Sequence, residues 1–528
     1  MTRTIIIGAG VAGLATAALL AREGHDVEVL ERRPVVGGRA GSVERDGFRF
    51  DAGPSWYLMP RVFDHFFDLL GTTSVEQLDL RILDPAYSVF SEPFQDGSPT
   101  PPLVIPYGQG ATEEAFELRE PGAGAVLRRY LASAERAAVM AEKYFLYNPY
   151  TRLGSLLRRD ILRALPELVR LLTTSLGTYV ARRFRDPVLR QVLGYPAVFL
   201  GASPASAPAI YHLMSALDLA EGVQYPMGGF WELVHRLRAL AEAQGAKITT
   251  DADVTAIVTS AGRRRRRVVG VDWRTGDGVE RRSPADLVVS AADLHHTETR
   301  LLPEDARTYP ESWWRRRISG PGAVLALLGV RGALPELPHH SLFFTRDWDA
   351  NFEAIFGEAP RIPDPASIYV CKPSHTDATV APAGHENLFV LVPVPADPGL
   401  GHGDVDGRGS PAVERAADAA IAQISRWAGV PDLESRIVVR QTVGPQDFAE
   451  QYNSWSGGML GPAHVLRQSA MFRAPNQSRK VAGLYYAGAT TAPGVGVPMC
   501  LISAELVSKR IKADHSAGPT SPQPRSTR

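Results

Sequence analysis

Thr4-Ile5-Ile6-Ile7-Gly8-Ala9-Gly10-Val11-Ala12-Gly13-Leu14 opens the chain, and its reading decides the fold. Thr4 to Ile7 is a short β-branched run with the composition of a buried parallel strand. It feeds directly into glycines at 8, 10 and 13 and then into a helical stretch from Leu14 to Glu23. In that setting Gly8 permits the tight turn, Gly10 lets backbone approach a pyrophosphate, and Gly13 lets the helix pack on the strand. The helix N-terminus then faces two phosphates, so Gly8, Gly10, Val11, Ala12 and Gly13 are candidate ligand contacts.

Working outward, Gly24-His25-Asp26 reads as a turn and Val27 to Leu30 as a second strand, which Glu31 ends. An acidic residue at this distance from the glycines is placed to accept hydrogen bonds from ribose hydroxyls, which disfavours NADP. Arg32 follows it, and then Gly37-Gly38-Arg39, where paired glycines admit close backbone approach and Arg39 can neutralise a pyrophosphate or anchor the flavin side. NAD dehydrogenases seldom carry this extension, so FAD is the expected cofactor.

Phe48 to Trp56 alternates apolar and small residues before breaking at Gly53-Pro54, as a strand that delivers Gly53, Pro54 and Ser55 toward the ligand crevice would. From there to about Tyr225 the chain reads as mostly helical, inserted substrate-domain material. Tyr225 to Gly229 returns it to a helix with apolar positions Phe230, Val234, Leu237 and Ala241, then a strand from Lys247. By analogy with folds of this kind, backbone near Val254 meets the adenine. Gly262 and Arg263 to Arg267 form a basic run, read as a solvated hairpin between strands around Val258 and Val271 rather than a nucleic-acid site. Leu287 to Asp293 is another buried strand that brings Ala291 to the cofactor, while His295-His296 is expected at the surface. A second excursion, from about Leu302 to Gln468, completes the substrate cavity.

The Lys plus Arg count equals the Asp plus Glu count, 57 each, so no global field draws the chain to nucleic acid. Cys371 and Cys500 are the only cysteines, with no CxxC and no Cys/His cluster at metal spacing, which argues against zinc, iron–sulfur and disulfides and favours a reducing, cytoplasmic setting. The uncharged run from Thr4 to Ala21 imitates a membrane span, but strand, glycines and helix explain it better.

Near the other end, Leu484 to Ala487 is a strand, Gly488 to Pro498 a glycine-rich loop and Met499 to Ile511 a helix. Here Gly488, Gly496, Val497, Pro498 and Met499 are candidate flavin contacts, because a helix N-terminus suits the flavin pyrimidine oxygen, where negative charge gathers on reduction. The expected fold class is α/β: a Rossmann-type FAD-binding domain, glutathione-reductase/amine-oxidase-like, with an inserted mixed α+β substrate domain and a helical membrane-contacting region. The expected division is 1–85, 226–305 and 470–512 for the FAD-binding domain, 86–225 and 306–469 for the substrate-binding and membrane-associated region, and 513–528 for a disordered tail rich in Ser, Pro, Thr and Arg.

Three stretches, GAGVAGLATAALLAREGHDVEVLERRPVVGGRAG at 8–41, FDAGPSWYLMPRVFDHFF at 50–67 and GLYYAGATTAPGVGVPMCLISAEL at 483–506, closely resemble the bacterial-type phytoene desaturases, the FAD-dependent carotenoid desaturase family. The resemblance covers nearly the whole chain. It implies stepwise insertion of conjugated double bonds into a C40 carotenoid, phytoene toward neurosporene or lycopene, with hydride passing to flavin N5. Close relatives desaturate, oxidise or isomerise other carotenoids. A flavin amine oxidase and a non-enzymatic prenyl-chain carrier are the further alternatives.

No protein base is assigned: Asp51, Glu221, Asp293, His212 and Tyr225 lie near motif junctions, each with an equally good structural role. With no second Rossmann fingerprint, quinone or oxygen is the expected electron acceptor. A substrate without polar handles resides in the bilayer, so peripheral association with the inner face of the cell membrane is expected. Thr151 to Arg185, which interleaves leucines, among them Leu153, Leu156, Leu157, Leu162, Leu165, Leu168, Leu171 and Leu172, with arginines, is the expected contact.

Overall fold

The apolar run near the N-terminus forms strand Arg3–Ile7, buried from Thr4 onward. It lies between parallel strands Asp26–Leu30 and Leu287–Ser290, with Ile5 opposite Glu28 on one side and Val288 on the other. A strand paired on both edges and covered on both faces has no solvated side, which is why the run shows no polar alternation. The full sheet runs Leu484–Tyr486, Leu287–Ser290, Arg3–Ile7, Asp26–Leu30, Lys247–Thr249, all parallel, so the two ends of the chain meet within it. The computed structural model describes residues 1–522 apart from 95, 153, 155–157 and 262–264.

Helix Val11–Arg22 is buried along its length from Val11 to Ala21, packed between helices Val497–Ile511 and Phe230–Ala243. The uncharged run is therefore interior. Among the described residues no helix is long and apolar enough to cross a membrane. Strands Ala252–Ser260, Arg266–Thr275 and Glu280–Pro284 form an antiparallel layer in which Ile257 faces Val271. Gly262, Arg263 and Arg264 lie outside the described residues.

A second, seven-stranded sheet runs Ile437–Val443, Gly322–Arg331, His385–Val394, Ile368–Cys371, His340–Phe344, Tyr87–Ser91, Leu103–Ile105. Strand Gly322–Arg331 is buried except at Arg331, and its alternate residues serve different cores. Val324, Ala326 and Leu328 pack with Val413, Ala417 and Ile421 of helix Pro411–Ala428. Leu325 and Leu327 pack on the other face with Leu127 and Leu131 of helix Ala123–Ala141 and Leu189 and Val192 of helix Pro187–Gly194. Two strands of this sheet, Tyr87–Ser91 and Leu103–Ile105, come from the stretch expected to be mostly helical. They are short, and only their pairing with the sheet identifies them.

Part of the stretch expected to be a tail, 513–522, makes hydrogen bonds to the last helix: Thr520 N–H donates to Glu505 Oε1 at 2.7 Å, and Lys509 Nζ donates to the carbonyls of Ser516 and Gly518. Polar composition suggested disorder, but buried Glu505 and Lys509 need partners, and this segment supplies them. The leucine–arginine segment is broken up. Leu153, Leu156 and Leu157 lie outside the described residues, and the remainder forms helix Arg159–Thr173, a break at Thr174 and Ser175, and helix Leu176–Ala181.

Candidate functional site

One cavity of about 760 Å³ joins the loops from the two ends of the chain. Its wall includes Gly8, Gly10, Val11, Ala12, Glu31, Arg32, Gly37, Gly38, Arg39, Gly53, Pro54, Ser55, Val254, Ala291, Gly488, Gly496, Val497, Pro498 and Met499. Of the residues expected from sequence to contact the cofactor, Gly13 alone stays behind the wall. A Cβ there would lie 1.9 Å from Gly8 O and 3.3 Å from Ala291 Cβ, so its hydrogen is what lets helix Val11–Arg22 approach the strand end. At Gly10 the opposite holds. A Cβ would meet no protein atom nearer than 3.9 Å, and Gly10 itself lines the cavity.

Glu31 is buried at the cavity edge, where Oε2 accepts Ala9 N–H at 2.6 Å and Oε1 accepts Arg33 N–H at 2.9 Å. A carboxylate has about four acceptor sites, so room remains for ribose hydroxyls. Arg39 reaches Ser454 Oγ at 2.7 Å and stands 3.7 Å from Asp293 Oδ2, while its buried Nε donates to no protein acceptor among the described residues. Two helix N-termini, Val11 of one and Val497 of the other, face this cavity, each with positive potential at unpaired N–H groups. Open cradle positions, an unspent guanidinium donor and two positive helix ends fit a dinucleotide carrying a redox ring. FAD would be held by these residues.

The sequence did not reveal what holds the C-terminal loop. Buried Arg473 donates to Ala489 O at 2.6 Å, Thr491 O at 2.9 Å and Pro462 O at 3.2 Å, and burial lowers its pKa to about 10. Asn476 Nδ2 adds a bond to Ala492 O at 2.8 Å. His464 braces the next turn, with Nε2 accepting Val495 N–H at 3.3 Å and Nδ1 lying 3.0 Å from Tyr211 Oη. Since Tyr211 O–H donates to Ser469 Oγ at 2.9 Å, His464 Nδ1–H must be the donor to Tyr211. That sets a neutral tautomer, in line with the depression of its pKa by burial and by Arg473. Nothing local in Gly461 to Gln477 signals this role, because the bonds to Ala489, Thr491, Ala492 and Val495 join positions far apart in the chain.

His296, expected at the surface, also lines the cavity; burial lowers its pKa to about 4. It is carried by helix Leu294–Arg300, whose cap Asp293 stands at the cavity. Among the five junction residues, only Asp293 lies on the cavity wall. Its Oδ1 caps His295 N–H at 2.9 Å and burial raises its pKa. Asp51 instead accepts Phe230 N–H at 2.7 Å and Trp231 N–H at 3.2 Å, and burial pushes its pKa up to about 7. Glu221 pairs with Arg61 at 3.0 Å, His212 contacts Ser133 Oγ at 3.1 Å, and Tyr225 O–H donates to Asp377 at 3.2 Å.

Beyond the cofactor loops the cavity is walled by aromatic and aliphatic side chains such as Trp56, Tyr195, Phe199, Leu342, Phe344, Trp348 and Phe352. Where it reaches the surface the lining stays apolar: Leu172, Leu466, Met471 and Phe472 line it and are 38%, 41%, 44% and 58% exposed. Leu162, Leu165 and Val169 extend this exposed stripe along helix Arg159–Thr173.

A parallel sheet with a glycine-cradled crevice at its carboxyl edge, joined to an apolar chamber, defines an FAD-dependent oxidoreductase of the amine-oxidase type. The family model of flavin containing amine oxidoreductases matches residues 11–512. The chain is 40% identical over 509 residues to the carotenoid 3,4-desaturase of Haloarcula japonica, covering 96% of this chain and 98% of that protein. It is 34% identical to the zeta-carotene-forming phytoene desaturase of Myxococcus xanthus, covering 96% and 93%. Among solved structures, putrescine oxidase bound to putrescine shares the fold with a TM-score of 0.60, at 17% identity over 97% of this chain and 99% of that one. The chain belongs to the flavin containing amine oxidoreductase family and, within it, to the FAD-dependent carotenoid desaturases.

Proposed function

We propose that this chain introduces conjugated double bonds into a long carotenoid, with phytoene as substrate and neurosporene or lycopene as the direction of travel. The observation that carries this reading is the continuity of the cavity from the glycine loops, through a chamber of aromatic and aliphatic side chains, to an apolar mouth at Leu172, Leu466 and Phe472. When bound, FAD supplies the hydride-accepting chemistry. Of the nineteen wall residues proposed as its contacts, Glu31 would face ribose and Arg39 the phosphates or flavin, while Gly496, Val497 and Met499 would offer backbone N–H groups to the ring. Gly13 supports them from behind. The chamber walls exclude water and hold an extended polyene by apolar contact, with little polar selection.

On this reading the first sheet and its loops, 1–85, 226–305 and 470–512, form the cofactor domain. The second sheet and its helices, 86–225 and 306–469, form the substrate region. Helix Arg159–Thr173 and the 466–472 loop would rest on the inner face of the cell membrane, the exposed leucine stripe in the acyl boundary and Arg159, Arg163 and Arg170 toward anionic headgroups. Quinone or oxygen would accept the electrons.

A second reading is favoured by the 40% identity to a carotenoid 3,4-desaturase: the substrate is then an already conjugated carotenoid and the new double bond lies at its end. Anaerobic incubation of the FAD-loaded protein with phytoene in liposomes plus a quinone separates the two. Red-shifted polyenes resolved by chromatography support phytoene. Unchanged phytoene, with conversion of lycopene-type substrates, supports the later step.

A further inference from the structure

The second sheet brings two adjacent histidines against a cysteine that lies far from them in the chain. Strands His340–Phe344 and Ile368–Cys371 run antiparallel with His340 directly opposite Cys371. Lys372 N–H donates to His339 O at 2.7 Å and extends that register by one residue. A ring nitrogen of His339, a ring nitrogen of His340 and Cys371 Sγ lie within 4.8 Å of one another. All three side chains are shut away from solvent, at 1%, 0% and 2% exposure.

Each imidazole commits one nitrogen to the protein. His339 Nδ1 pairs with Thr376 Oγ1 at 2.7 Å and His340 Nδ1 with Tyr369 Oη at 2.8 Å. The second nitrogen, Nε2 in both rings, is buried without a hydrogen-bond partner among the described residues. Buried polar atoms are almost always paired, so two adjacent unpaired nitrogens call for a ligand. One ring nitrogen tied to an outer oxygen and the other left free is how proteins orient metal-binding histidines.

We propose that His339, His340 and Cys371 form a buried binding site for a cuprous ion. Two imidazoles and a thiolate are a soft to borderline donor set, and three donors suit trigonal Cu(I). Charge favours the monovalent ion as well. With Cys371 as thiolate, Cu(I) gives a neutral site, whereas a divalent ion leaves a net positive charge among apolar rings. Trp56 stacks on His340 at 4.8 Å and Tyr225 lies 4.7 Å from His339. Asp377 is already committed: Oδ2 accepts Gly228 N–H and Tyr225 O–H, and Oδ1 accepts Thr379 N–H and O–H. On binding, the Cys371 thiol proton leaves to solvent and a copper–sulfur bond forms, with no change in oxidation state. Trp56 and Tyr369 line the cavity, so the site lies one side-chain layer behind its wall and the ion would pin two strands of the chamber.

The test uses the FAD holoenzyme, loaded anaerobically with Cu(I) in the presence of a chromophoric cuprous chelator and then desalted. Stoichiometric copper by elemental analysis, with nitrogen and sulfur neighbours by X-ray absorption, is expected for wild type and for Cys500→Ser, which removes the other free cysteine. Cys371→Ala should lose the copper while keeping its flavin absorbance, and His340→Gln should lose it too. The assignment is overturned if wild type retains no copper, if Cys371→Ala retains as much, or if equimolar zinc(II) displaces copper from the site.

Discussion

Glu31 Oε2 accepts Ala9 N–H at 2.6 Å, tying the first glycine loop to the end of the second strand. Arg33 N–H is satisfied by the same carboxylate at 2.9 Å. Glu31→Ala leaves both amides without their acceptor, at a cost of about 1–3 kcal/mol for a buried one. FAD affinity should fall about 5- to 150-fold on the same scale. Flavin fluorescence titration beside a thermal melt checks this; a variant with unchanged affinity would remove Glu31 from the cofactor site.

The second and third glycines of the motif should fail differently. Gly10 has φ −74°, open to any residue, so Gly10→Ala should fold and lose flavin because its methyl crowds the cavity wall that Gly10 lines. Gly13→Ala places a methyl 1.9 Å from Gly8 O and should destabilise the domain itself, by about 1–3 kcal/mol or more. Flavin content and circular dichroism, read on both variants, separate the two effects. Equal melting temperatures for the pair would contradict this account.

Asp218 is 4% exposed and accepts the hydroxyls of Tyr195 at 2.9 Å and Tyr87 at 3.2 Å; burial pushes its pKa up to about 7. The unfolded chain releases that proton near 3.8, so between 3.8 and about 7 the folded state binds more protons. The contribution of Asp218 to stability is therefore complete below the lower value and is lost as pH rises toward the upper one, by at most about 1.4 kcal/mol per pH unit. Asp218→Asn cannot titrate. Denaturant unfolding at about pH 5 and about pH 8 should show the variant gaining on wild type as pH rises. Buried His212, whose pKa burial lowers to about 4, contributes with the opposite sign and cancels in that difference.

Leu165 and Val169 are 48% and 50% exposed on the stripe beside the cavity mouth. Replacing both with Gln should change folding stability by less than about 0.5 kcal/mol each. Vesicle binding should weaken, since each side chain forfeits up to about 1.5–3 kcal/mol of apolar transfer. Removing Arg159, Arg163 and Arg170 should weaken binding to anionic vesicles alone, by about 1 kcal/mol per charge. Co-sedimentation with anionic and neutral liposomes reads both; full binding by both variants would exclude this face.

What the sequence by itself determined is what local chemistry dictates. The strand from Arg3, the glycines, Glu31 and the Gly488 to Met499 loop were legible because tight turns and helix starts impose residue types at set spacings. Helix boundaries then moved by only a few residues, to Val11–Arg22 and Val497–Ile511. Only the tertiary structure decided what depends on contacts distant in the chain. Arg473 and His464 brace a loop to which no local pattern connects them, and His296 lines the cavity from a helix whose cap stands there. Strand register sets His340 against Cys371. The chamber was illegible for a more general reason: side chains that line an apolar cavity and side chains that fill a core have the same composition, and only packing leaves space between them.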